Sequence, residues 1–152
     1  KATWYGLDHL NGKTVQALAD GVYQGTFTVA AGAVTLPRNA NAVEFGLAYT
    51  PRMKLLNPEV GSAAGTSQGA AISVGEVIVR VLDTVGVVIN GQTKTFRKMN
   101  DSLLDVPPEV GTGDMRETTL SDALYRNELV ITQPEPVDFH VLAVIRKCTI
   151  ND

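Results

Sequence analysis

Residues 20–29 read Asp20-Gly21-Val22-Tyr23-Gln24-Gly25-Thr26-Phe27-Thr28-Val29, and this stretch decides the fold class. Asp-Gly is a favoured corner for a two-residue hairpin, because both corner positions need positive φ. Beyond the corner, Tyr23, Gly25, Phe27 and Val29 fall on one face of an extended chain, and Gln24, Thr26 and Thr28 on the other. A period of two predicts a half-buried strand, and Thr14-Val15-Gln16-Ala17-Leu18-Ala19 supplies its hairpin partner.

The same grammar continues on both sides. Ala31-Gly32 predicts a short turn into Val34-Thr35-Leu36. After Pro37-Arg38-Asn39-Ala40-Asn41 the alternation resumes, with Val43, Phe45, Leu47 and Tyr49 inward and Glu44, Gly46 and Ala48 outward. Short strands joined by tight turns predict a meander or small barrel over 1–56. Residues 57–75, centred on Gly61-Ser62-Ala63-Ala64-Gly65-Thr66-Ser67-Gln68-Gly69, are small and polar and read as a flexible loop. From 76 to 152 a second antiparallel subdomain is expected. There Val77, Val79 and Val81 share a face, and Asn90-Gly91 marks a hairpin between Val85–Ile89 and Thr93–Phe96. Residues 97–114 read as an ordered loop, and 128–133 and 138–147 as closing strands. The run Phe139–Ile145 is apolar on nearly both faces, as in a central strand. Leu120–Tyr125 is the one helix candidate, and no internal repeat stands out. The expected class is all-β: an antiparallel sandwich or small barrels, in two packed subdomains or one continuous domain.

Composition agrees and excludes several chemistries. Of 152 residues, 19 Val, 15 Thr and 6 Ile are β-branched, and such side chains suit a pleated surface better than a helix. The net charge of −3 provides no basic field for a nucleic-acid backbone. One cysteine, Cys148, cannot form an internal disulfide, and with two histidines it makes no zinc-type cluster. No apolar run reaches the roughly 20 residues of a membrane helix. The opening Lys1-Ala2-Thr3-Trp4 has no Met or signal-peptide pattern and reads as the interior of a longer protein.

Candidate chemistry is sparse. Gly65-Thr66-Ser67-Gln68-Gly69 has the G-x-S-x-G form of a nucleophile elbow, but that motif needs a strand before the serine and a helix after it. Asp138 and His140 follow in chain order, yet they lie two residues apart on one strand, which does not assemble a triad. The glycine spacing lacks the Lys-Ser/Thr ending of a phosphate loop. His9 beside Asp8, with no second ligand, reads as a turn residue rather than a metal ligand. Arg97-Lys98 beside Phe96 reads as a solvated loop, and Asn100-Asp101-Ser102 matches a glycosylation sequon by pattern alone. No catalytic residue, cofactor or metal is expected.

Several short motifs carry a family resemblance. Gly6-Leu7-Asp8-His9-Leu10-Asn11-Gly12-Lys13-Thr14-Val15 is followed by Leu18-Ala19-Asp20-Gly21, then Phe45-Gly46-Leu47-Ala48-Tyr49 with Pro51-Arg52-Met53. Gly65-Thr66-Ser67-Gln68-Gly69, Val130-Ile131-Thr132-Gln133-Pro134 and Val141-Leu142-Ala143-Val144 complete the order. This order resembles the C-terminal region of tail hub or nozzle proteins of short-tailed bacteriophages and prophages, the packaged-DNA stabilisation or tail tubular type. The resemblance implies a virion structural protein of the tail, assembled in the bacterial cytoplasm and forming a ring of copies, six on the nozzle pattern. Its partners would be other copies of itself and neighbouring tail proteins, an adaptor, spike or fibre. In relatives the Gly-Thr-x-Gln-Gly segment leads into a Lys/Arg-rich run. Here Ala70-Ala71-Ile72-Ser73-Val74-Gly75-Glu76 follows, so direct DNA binding is not expected. Gly6, Asp8, His9, Asn11, Gly12, Asp20 and Gly21 are then shape-giving residues, and Gly65, Thr66, Ser67, Gln68 and Gly69 a candidate contact loop. Phe27, Phe45, Leu47 and Tyr49 would form one core, and Val79, Val81, Val141 and Ile145 a second. A receptor- or carbohydrate-binding sandwich of a tail spike is the alternative, and would need an exposed aromatic platform.

Overall fold

The computed structural model describes residues 1–59, 65–67, 69–96, 108–118 and 128–151. In chain order the elements are β1 (Thr3–Tyr5), a 3-10 turn at Asp8–Leu10, β2 (Thr14–Ala19), β3 (Val22–Thr28), β4 (Ala33–Thr35) and β5 (Val43–Leu47). Then follow β6 (Arg52–Leu55), β7 (Ala71–Thr84), β8 (Gly86–Ile89), β9 (Gln92–Thr95), β10 (Gly111–Glu117), β11 (Leu129–Thr132) and β12 (Val141–Asn151). The strand pairings of these elements are all antiparallel, and the chain is all-β. No helix among the described residues is long and apolar enough to cross a membrane. The helix candidate Leu120–Tyr125 lies outside the described residues.

Two compact units are present. The first contains Lys1–Pro51, Pro108-Glu109 and Pro134–Val137; the second is built from Arg52–Phe96, Val110–Gln133 and Asp138–Asp152. The opening segment of the first unit ends at Pro51, and β6 pairs with β11 of the second, although 52–56 read with the first module. Strand β7 starts at Ala71, inside the stretch read as loop, because Ile72 and Val74 bury their side chains.

In the first unit the sheets are β1-β4 and β3-β2-β5, so consecutive strands are not simply chained as a meander. Val15, Ala17 and Ala19 of β2 are fully buried, with Phe27, Val43 and Phe45 packed on the same cluster. Burying the Val15 side chain is worth about 1.5–3 kcal/mol. Tyr23 does not share the face of Phe27. Ala17 pairs with Gly25 and Leu18 with Tyr23, so Gln24 is an extra residue, and this β-bulge flips the alternation. Gly25, at φ +103°, takes the backbone angle that the bulge needs. Leu47 and Tyr49 are 61% and 77% exposed and are not core residues. Leu47 pairs with Val15 on the correct face, but the core ends before it.

In the second unit the sheets are β10-β7-β12 and β6-β11-β8-β9. Val77, Val79 and Val81 are buried around Val87, Ile89, Met115, Leu129 and Ile131, as their alternation predicts. The central strand is β7; β12 is an edge strand, contrary to the reading of its apolar run. Val141 pairs with Val81 and Ala143 with Arg80, so Leu142 bulges out. Val144 therefore takes the core face, and Ile145, 41% exposed, takes the outer one. Residues 111–114, the end of the expected loop, open β10, where the Phe96 ring lies against Gly111.

The two units share a motif that the sequence did not reveal. In each, a hairpin's first strand is flanked by a third antiparallel strand: β3-β2-β5 and β9-β8-β11. The registers coincide. Ala19 pairs with Val22 and Val43 as Ile89 pairs with Gln92 and Ile131, and Leu18 with Tyr23 and Glu44 as Val88 with Thr93 and Thr132. Its trace in sequence is Thr14-Val15, Asp20-Gly21 and Thr26-Phe27 against Thr84-Val85, Asn90-Gly91 and Thr95-Phe96. The Gln24 bulge offsets the last pair by one.

Candidate functional site

The motif residues of the first unit form one corner of the backbone. Gly6 (φ +93°) and Gly12 (φ +75°) take left-handed angles on either side of the 3-10 turn, where glycine meets no Cβ clash. Leu7 N–H donates to the Gly32 carbonyl at 3.0 Å, and Gly12 N–H to Val29 at 2.9 Å. Asn11 Oδ1 accepts Gly32 N–H at 3.4 Å. The Asp8 carboxylate lies so close to Gly32 that a Cβ there would fall 2.2 Å from Oδ1. His9 stands exposed on the 3-10 turn. Gly32, in the Ala31-Gly32 turn, is thus the hub that Leu7, Asp8 and Asn11 converge on. Ala31-Gly32 marks a turn in the sequence, and nothing local in it signals this convergence.

Asp20 and Gly21 occupy the two left-handed corner positions of the β2–β3 hairpin, at φ 49° and 78°. Asp20 N–H donates to the Ala42 carbonyl at 2.9 Å, and Oδ1 accepts Ala42 N–H at 2.9 Å. Asn41 N–H reaches both carboxylate oxygens at 3.1 Å. These backbone donors of Ala42 and Asn41 hold the Asp20 carboxyl below its ordinary value, with Arg38 adding to the effect. The second unit repeats the clasp. Asn90 (φ 47°) donates its N–H to Val130 at 2.9 Å, and its Oδ1 accepts Val130 N–H at 2.8 Å. An Asn-Gly pair announces the hairpin; the third strand it clasps is not adjacent in sequence, so no local signal names it.

The loop residues are placed differently from one another. Gly65 and Gly69 have φ of +117° and +92°. Thr66 Oγ1 donates to Glu59 Oε1 at 2.6 Å, and Ser67, only 6% exposed, accepts Ala70 N–H on its carbonyl at 3.1 Å. Gln68 lies outside the described residues, as do Arg97-Lys98 and Asn100-Asp101-Ser102. A depression of about 260 Å³ beside this turn is lined by Leu56, Pro58, Glu59, Ser67, Gly69 and Ile72.

Asp138 and His140 serve the backbone of the second unit. The Asp138 carbonyl accepts Val85 N–H at 3.1 Å. His140 N–H donates to Thr84 Oγ1 at 2.9 Å, and its Nδ1 lies 3.2 Å from the Leu82 carbonyl. Thr84, fully buried, in turn donates to Leu82, so it stitches the end of β7 to the chain entering β12. Among the described residues no three His, Cys, Asp or Glu side chains are grouped to hold a metal ion.

One electrostatic feature escaped the sequence reading. Across the outer face of β10-β7-β12, Arg80 makes a two-pronged contact with Asp114 at 2.8 and 3.0 Å. Glu76 sits between Lys147 and Arg116. Lys147 first, and Arg116 after it, hold Glu76 below its ordinary value; Arg80 does the same to Asp114. The pairing appears only once the register is known.

The chain matches no family model, and no curated protein matches it.

Proposed function

We propose that the chain is a structural β module of a short-tailed phage or prophage tail hub or nozzle, helping to build and close the channel through which DNA is ejected. One observation carries this reading beyond the motif order. The residues of the most specific motif, Gly6 to Gly12, build a backbone corner around Gly32. That is how residues of a scaffold are used. Asp20, Asn90, Thr84 and His140 likewise stitch strands together. The module acts mechanically: rigid sheets resist deformation, and a net negative chain gives DNA no point of adhesion. In the virion its neighbours would be further copies of itself and the adaptor, spike or fibre.

The second reading is a receptor- or carbohydrate-binding module of a tail spike. The strong exposure of Tyr5 and Tyr49 favours it, because sugar sites use aromatic faces. Sedimentation of the full-length protein separates the two. A six-copy mass supports the hub, whereas a three-copy mass with reproducible hits on a glycan array overturns it.

A further inference from the structure

The shared motif exposes a difference between the units. Strand β11 has β8 on one side and β6 on the other; its counterpart β5 has β2 on one side and, among the described residues, no strand on the other. Ala42 turns its N–H and C=O toward the Asp20 corner, so by antiparallel alternation Glu44 and Gly46 also face β2. The N–H and C=O groups of Val43, Phe45 and Leu47 then point away from β2, to the edge that has no strand among the described residues. The second unit has the same parity: Val130 faces the Asn90 corner, and Leu129 and Ile131 pair with Leu55 and Met53 of β6.

We propose that the β5 edge docks an extended strand of another polypeptide chain, antiparallel and, at Val43 and Glu44, in the register that β6 keeps with Ile131 and Thr132 of β11. The equivalence also states the chemistry of that strand. Arg52 lies opposite Thr132 and Met53 opposite Ile131, and the corresponding residues of β5 are Glu44 and Val43. The incoming strand therefore carries a cation opposite Glu44 and an apolar side chain beside Val43, as Arg52 and Met53 stand opposite Thr132 and Ile131. Glu44 is the one charge on β5 and is exposed, so the charges are complementary. Free edges are ordinarily guarded by lysine, proline or a bulge. Strand β12 has Arg146, Lys147 and two irregularities of register, whereas β5 has no Lys or Pro and pairs with β2 in unbroken register. The proposal stands on the equivalence of the two units and is independent of the tail reading.

A peptide spanning Thr50–Asn57 is a direct probe, because it contains β6. Titrated into the isotope-labelled chain, it should shift the amide signals of Val43 and Glu44 saturably and slow the exchange of the outward Val43 N–H with solvent. Val43→Pro, at the first position of β5, removes the outward N–H placed against Met53 and leaves the β2 bonds intact, a substitution that the start of a strand tolerates. It should weaken binding about tenfold while β2 signals stay in place. Glu44→Lys, a surface change, should weaken binding as well. Shifts at Leu129 and Ile131 instead, no saturable shift, or equal affinity in both variants overturns the proposal.

Discussion

Gly32 faces the Asp8 carboxylate at φ +67°, so two constraints meet at one residue. Alanine there is strained by the backbone angle, while the flexible Asp8 side chain can swing away, so Gly32→Ala is expected to cost about 1 kcal/mol. A chemical denaturation midpoint reads this. At Gly111 the reason differs: the backbone is ordinary, but a Cβ would lie 2.3–2.8 Å from the Phe96 ring. Displacing a packed ring is overpacking, and Gly111→Ala is expected to cost about 1–3 kcal/mol in the same measurement. Neither partner was legible in sequence. Asp8 and Gly32 are 24 positions apart, and Phe96 meets Gly111 only because β9 and β10 come near each other. By contrast the corners at Asp20-Gly21 and Asn90-Gly91 were legible, since positive φ at both positions is a local demand.

Strands were readable where their alternation ran unbroken and misread where a bulge interrupted it. Val77, Val79 and Val81 kept their predicted face. Tyr23 and Ile145 changed face because Gln24 and Leu142 are extra residues, which only the partner strand's register shows. Leu47 failed for another reason: periodicity assigns a face but not where the core beneath it ends. The ion pairs on β10-β7-β12 make a further prediction. Glu76 and Asp114 titrate lower in the folded chain, so the native state binds fewer protons than the unfolded one. Their stabilisation is complete above the ordinary values of 4.5 and 3.8, and is lost as pH falls through the lower folded values. Thermal melting should therefore rise with pH in the acid range and level off above about pH 5. The double variant Glu76→Gln, Asp114→Asn should melt with a visibly shallower dependence.

At the scale of the molecule, each unit has its own core cluster, and each core can be tested through one side chain. Phe45→Ala, half-buried in the first unit, is expected to cost about 3 kcal/mol, and Ile131→Ala, fully buried in the second, about 2–5 kcal/mol. Trp4, the one tryptophan, reports the first unit by fluorescence, while far-ultraviolet dichroism reports all strands. The all-β class was legible because β-branched content and period-two runs act locally. The repeated hairpin-and-clasp was not, because the units match chiefly in register and share only three short residue pairs. The tail-hub account is an account of assembly, so symmetry is its most direct test. Electron microscopy of the full-length protein is expected to show a closed ring of six copies around an open channel; a three-fold spike with no channel would contradict it.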